Sequence, residues 1–504
     1  MARSFAVPIA RLAALALLAV PGAAFAQEAA AAAAPDVVDP LVALTEQVAN
    51  QKIIMDTMWV IIASALVFAM QLGFAYVEGG FTRAKNANNI MMKNLLSVCV
   101  GTLAFMAVGF TIMFGNGNGF WGYEGWFLTG ADNSPAGADA YQGAYGSLAW
   151  ATVPFWAKVF FQLMFAATAG TIISGAVAER TKFSSYLIVT AVVTAVIYPV
   201  VGHWAWGGGW LSTLDPIFTD FAGSTVVHLT GGTLAAVGAY MVGARKGKYG
   251  PDGKPRAIPG HSLPMATLGV FVLWLGWFGF NAGSTMAANT DIALIAINTN
   301  MGAAAGAIGA MLVSLILFRT FDIGMTLNGV LCGLVAVTAG CYVINPLGAT
   351  IMGFLGGVFV VFAVLAVDRF IDDPVGAIAV HGGGGALGTI FVGLFAVNGG
   401  LFYGGGAALL ITQLKGVLAT IAFAGIAGFI LFAAVKYTIG LRVSAEEEFN
   451  GLDLGEHGLS AYPDPAFGGG TQGGGMLGGP NSPSGAFATS NASAGAPSNS
   501  TVNA

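Results

Sequence analysis

The segment "AIAVHGGGGALGTIF", Ala377 to Phe391, puts one imidazole, His381, among residues that are otherwise apolar, glycine or a single threonine. A second stretch, "STVVHLTGGTLAAV" from Ser224 to Val237, repeats the pattern: His228, Gly231, Gly232 and Leu234 align with His381, Gly384, Gly385 and Leu387. The surrounding chain has the character of a lipid-embedded protein. Of 504 residues, 56% are hydrophobic and 9% charged, against about 25% charged in soluble domains. Mean hydropathy is +0.76. The chain is therefore read as all-α and integral to the membrane. The net charge of -5 says little about partners. No phosphate-cradling loop, metal-spaced His/Cys set, hydrolytic constellation or basic nucleic-acid surface is present, so no cofactor, no nucleic acid and no enzymatic activity are expected. Cys99, Cys332 and Cys341 read as small buried hydrophobes.

Apolar stretches long enough to span a bilayer start near Asp56, Met91, Pro154, Ser184, Phe221, Leu263, Ile292, Met325, Leu347, Val375 and Ala407. That makes about eleven transmembrane helices. Their many glycines suit close helix packing in lipid. Arg83, Lys85, Arg180, Lys182, the Arg245–Arg256 cluster, Arg319, Arg369, Lys436 and Arg442 fall in one alternate set of loops. The other set is nearly empty, with only Lys52, Lys158 and Lys415 toward it. The positive-inside rule makes the first set cytoplasmic, with the mature N-terminus outside and the C-terminus inside.

The expected organisation is a signal peptide over residues 1–26, a linker over 27–52 and a transmembrane domain over 53–440. A cytoplasmic tail over 441–466 and a disordered Gly/Ser/Asn-rich end over 467–504 complete it. The signal reading rests on Arg3 and Arg11, a short apolar run and Ala24-Phe25-Ala26. The last segment is too poor in apolar residues to offset its ordering entropy.

A second register supports an internal repeat. "QLGFAYVEGG", Gln71 to Gly80, aligns with "WLGWFGFNAGS", Trp274 to Ser284. The two registers make spans one to five and six to ten an inverted five-helix repeat plus one extra helix. Such repeats place a transport site at their interface near the midplane. The histidines then occupy equivalent positions on a common path. A pair sharing one hydrogen offers a donor and an acceptor to a small polar molecule or a proton. The bland reading is two hydrogen-bonded histidines that only join helices. The flanking glycines are expected to leave room beside the imidazoles. Outside, "HWAWGGGW" and "FFQLMFAATAG" supply aromatics in a vestibule lacking basic residues, a setting that attracts cations to ring faces.

Together with "GAVAER" (Gly175 to Arg180), "DFAGSTVVH", "GWFGFNAGS" and "LRVSAEEEFNGLDLGEHGLSAY" (Leu441 to Tyr462), these stretches resemble the ammonium transporter (Amt/Mep/Rh) family, bacterial Amt branch, over roughly Asp56 to Tyr462. The resemblance implies the ammonium transporter fold, a homotrimer with one pore per subunit, ammonium/ammonia as substrate and a PII-type signalling protein at the cytoplasmic face. It implies a bacterial inner-membrane location. It assigns Trp206, Ser284 and Phe161 to ammonium recruitment, Phe165 and Phe280 to a stacked gate, and His228, His381, Trp277 and Thr338 to the pore. Asp220 becomes a buried acid near the outer site; its structural alternative is an N-cap for span five. The implied mechanism is recruitment of NH4+, deprotonation, and NH3 conduction past the twin histidines. An ammonium sensor of the same fold, without substantial flux, is the alternative.

Overall fold

The computed structural model describes residues 39–462. The expected signal peptide, residues 1–26, and the whole Gly/Ser/Asn-rich end, residues 467–504, lie outside these residues. The described chain is helical, with no β-strand among the described residues. Ten helices are long and apolar enough to cross a membrane: α1 (Pro40–Phe81), α2 (Ala84–Phe114), α3 (Phe155–Ala176), α4 (Phe183–Thr213), α5 (Ser224–Val242), α6 (Leu263–Gly283), α7 (Asp291–Phe318), α9 (Pro346–Val367), α10 (Ile378–Phe395) and α11 (Ala408–Thr438). The shorter apolar α8 (Ile323–Thr338) completes eleven. Two short helices follow, α12 (Ala445–Asn450) and α13 (Leu452–His457).

Helix starts follow ordinary capping chemistry. Ser262, Asp322 and Asn345 accept the amides of Met265, Met325 and Gly348 at the starts of α6, α8 and α9. Asp39 does the same for Leu41, and Pro40 takes the first position of α1. The helix therefore starts within the segment expected as linker up to residue 52. Cys99 departs from the expectation too: it is exposed on α2, while Cys332 and Cys341 are buried.

Glycines set the central crossing. A Cβ on Gly232 of α5 would fall on the backbone of Gly382, and one on Gly385 of α10 would meet Ser224 O and Leu229 N. Absence of side chains here lets the two histidine-bearing segments touch backbone to backbone, as small residues do in membrane helix pairs. These glycines make a helix contact; the expected spare room beside the imidazoles is not their role.

α5 ends and α10 begins on the same side of the bundle. The Arg245 guanidinium, just past α5, forms an ion pair with Asp372, just before α10, at 2.9 Å. Glu179 accepts from Arg245 at 3.3 Å and pairs with Arg83. Arg180 donates to the carbonyls of Gly243 and Asp372. This buried network ties together the loops between α1 and α2, α3 and α4, α5 and α6, and α9 and α10. Several arginines of the basic loop set are thus structural partners. Lys93 of α2, which the loop count omits, is buried and donates to Ser174 O at 2.9 Å.

The tail lies against this basic side. Lys85 donates to the carbonyls of Glu448 and Phe449, and the Leu452 amide donates to Asn86. Asp453 accepts the amides of Asn88 and Asn89 near the start of α2. Glu448 accepts from Arg442 and from the Lys246 amide.

Candidate functional site

On the side opposite the arginine network, a cavity of about 370 Å³ is lined by Trp206, Ser284, Phe161 and Phe165, among others. The Trp206 indole N–H donates to Asp220 O at 2.7 Å, which fixes the ring. The Ser284 hydroxyl donates to Phe280 O at 2.8 Å. With its hydrogen spent inside the helix, its oxygen is left as an acceptor for a guest.

The rings then descend as a column. Phe161 and Phe165 lie 4.7 Å apart, and Phe165 stacks on Phe280 at 4.1 Å and 21°. Below them His228 lies 5.5 Å from Phe280 and 5.1 Å from Trp277. Trp277 is held by its N–H bond to Thr338 at 2.8 Å. Thr338 in turn donates to Leu334 O. His228 Nδ1 and His381 Nδ1 are 3.1 Å apart, so one carries the shared hydrogen and the other accepts it. Both rings are buried, and His228 Nε2 has no protein partner. A buried ring nitrogen without a partner is unfavourable unless a small guest bonds to it.

Both histidines sit in π-helical turns, Ser224–Leu229 and Ile378–Gly383. Such turns are rare and concentrate at functional sites. Each turn is held at its start by an acid. Asp220 accepts the amides of Gly223, Ser224, Thr225 and Val226. Asp373 accepts those of Val375, Gly376 and Ile378. The glycine three residues after each acid has positive φ, 113° at Gly223 and 81° at Gly376, a conformation that favours glycine. Asp220 therefore caps α5 and is absent from the cavity lining. Asp373 was not singled out from the sequence, although a signal was there: it stands eight residues before His381, as Asp220 does before His228.

The structure thus brings all ten residues assigned from sequence together, in the ring column or bonded to it. Glu78 is buried on α1, bonded by Ser174 at 2.6 Å and Asn94 at 3.2 Å, and lines a second cavity beneath His381. No cluster of His, Cys, Asp or Glu suited to a metal ion occurs among the described residues.

An eleven-helix membrane bundle with a column of aromatic and imidazole rings at its core, between two cavities, has the architecture of a multi-pass transport-type protein. The profile of the Ammonium Transporter Family matches residues 58–462. The chain belongs to that family. It is 45% identical over 438 residues to the ammonium transporter Amt2 of Archaeoglobus fulgidus, covering 82% of this chain and 90% of that one. Among solved structures it resembles one called Sensor Amt Protein, with TM-score 0.74, 38% identity, and coverage of 81% and 99%. It also resembles Mep2 of Candida albicans, with TM-score 0.70, 28% identity, and coverage of 79% and 88%.

Proposed function

We propose that this chain moves ammonium nitrogen across the inner membrane of a bacterium, with its N-terminus outside and the arginine-network side in the cytoplasm. Ammonium is recruited in the outer cavity, where the faces of Trp206 and Phe161 attract the cation and Ser284 accepts an N–H. The stacked Phe165 and Phe280 close the path below. An intact cation crossing them would lose its hydration without a compensating charge. Ammonium can instead give up a proton and proceed as ammonia. Ammonia then hydrogen-bonds along His228 and His381, with Trp277 and Thr338 shaping the passage. The observation that carries this reading is the His228–His381 hydrogen bond at 3.1 Å directly beneath the stacked phenyl pair.

The working unit in this reading is a homotrimer with a pore in each subunit. A PII-type protein docks on the cytoplasmic side, where the 441–466 tail is packed. The signal peptide is removed after residue 26. Native mass spectrometry tests the trimer, and N-terminal sequencing of membrane-inserted protein tests the cleavage.

A sensor reading has one specific support, the 38% identity to the protein called Sensor Amt Protein. Flux and current in liposomes with ammonium, methylammonium and potassium separate the two. A transporter turns over ammonium and excludes potassium; a sensor binds ammonium without comparable flux.

A further inference from the structure

Beneath His381, a cavity of about 20 Å³ lies among mostly apolar side chains, including Phe74 and Leu331. That is room for one water-sized molecule. Its polar side chains are His381, Glu78 and Asn328. Both side-chain bonds to Glu78, from Ser174 and Asn94, fall on Oε2, and none falls on Oε1. Asn328 is 7% exposed, and its amide oxygen has no partner. A carboxyl oxygen and an unbonded amide at a space of this size suit a small N–H donor. The link to Lys93 accounts only for the other edge: Lys93 donates to Ser174 O at 2.9 Å, Ser174 Oγ donates to Glu78 Oε2, and Lys93 is absent from the cavity lining.

We propose that Glu78 and Asn328 form an inner ammonium site at which ammonia leaving His381 regains a proton. The inference rests on the transport reading above. Ammonia arriving with its lone pair free meets the Glu78 carboxylic acid. The Glu78 O–H bond breaks and a new N–H bond forms, leaving ammonium beside a carboxylate. Asn328 takes a second N–H through its oxygen. Lys93, reaching Glu78 through Ser174, steadies the carboxylate while ammonium departs. The carboxylate then takes its next proton from hydronium at the cytoplasmic mouth. For flux in the opposite direction, the same site captures ammonium from the cytoplasm.

The test compares right-side-out and inside-out membrane vesicles containing the full chain, with 15N-ammonium as the probe. Glu78→Gln and Asn328→Leu should each raise the half-saturating concentration about tenfold for flux entering from the cytoplasmic face, the scale of one charge-assisted hydrogen bond. Entry from the outer face should keep its half-saturation. Ser284→Ala should give the reverse pattern. A shift of equal size at both faces, or at neither, in variants that assemble normally overturns the site. If Glu78→Gln fails to assemble, Asn328→Leu carries the same comparison. A wild-type chain without ammonium flux from either face fails the transport reading itself, and the inner site falls with it. A transporting wild type with unshifted variants overturns only the site.

Discussion

Gly232 of α5 lies against the backbone of Gly382 of α10, one residue past His381, with no space for a Cβ between them. Since His228 is four residues before Gly232, this crossing sets how far apart the two imidazoles stand. Gly232→Ala should therefore separate the helices and cost about 1–3 kcal/mol, the range for overpacking. Thermal unfolding in detergent should show a lower midpoint, and ammonium flux should fall with it. Unchanged stability and flux would mean that the crossing has slack the geometry does not display.

The arginine network predicts a pH window. Burial pushes the Asp372 carboxyl up, but hydrogen bonds from Arg245 and the charges of Arg180 and Arg245 outweigh this and bring it down to about 2. A carboxylate held below its ordinary value near 3.8 stabilises the fold above that value and loses this contribution as pH falls toward 2. Asp372→Asn should be destabilised at pH 7 by about 3 kcal/mol, since the buried Arg245 loses the nearer of its two counter-charges and keeps only Glu179 at 3.3 Å. Its deficit relative to wild type should shrink between pH 4 and pH 2. Melting curves across that range check both the size and the direction.

The outer cavity makes a narrower demand. Ser284→Ala removes one acceptor oxygen and should weaken ammonium binding from outside by about 1 kcal/mol. The half-saturating concentration rises severalfold, while potassium stays excluded because Phe165, Phe280 and the histidines are untouched. Concentration dependence of flux measures the first effect, and potassium flux the second.

Docking of the tail depends on Asp453, which accepts two amides at the start of α2. Asp453→Ala should make the segment after Leu441 more sensitive to limited proteolysis, with little change in the melting of the helical bundle. Equal protease resistance in both proteins would show that the contacts of Lys85, Asn86 and Glu448 suffice to hold the tail.

The spans were legible from sequence because a bilayer demands about 20 apolar residues and little else. The meeting of His228 and His381 was legible because they are polar residues in otherwise apolar surroundings, twice in the same register. Their π-helical turns were not, since an i→i+5 turn leaves no periodic signature in a segment this short. Asp373 escaped because a capping acid at a helix start is common chemistry; only its eight-residue spacing to His381 marks it as the counterpart of Asp220. The surroundings of Glu78 are not legible in the sequence, because Ser174, Asn94 and Lys93 come from two other helices and their convergence is a property of packing. The glycines after each histidine were visible, but whether they serve a guest or a helix crossing depends on what lies opposite them.

In the proposed transport reading, the imidazole pair passes ammonia and refuses an intact cation. Parallel ammonium and potassium flux in liposomes, comparing wild type with His228→Asp and His381→Glu, tests it most directly. An acid in place of an imidazole adds acceptor oxygens and a negative charge that stabilises a dehydrated cation. Wild type should carry ammonium without potassium, and the acid variants should admit potassium and lose discrimination. Acid variants that carry ammonium normally and still exclude potassium would contradict it, and would leave His228 and His381 as residues that only join two helices.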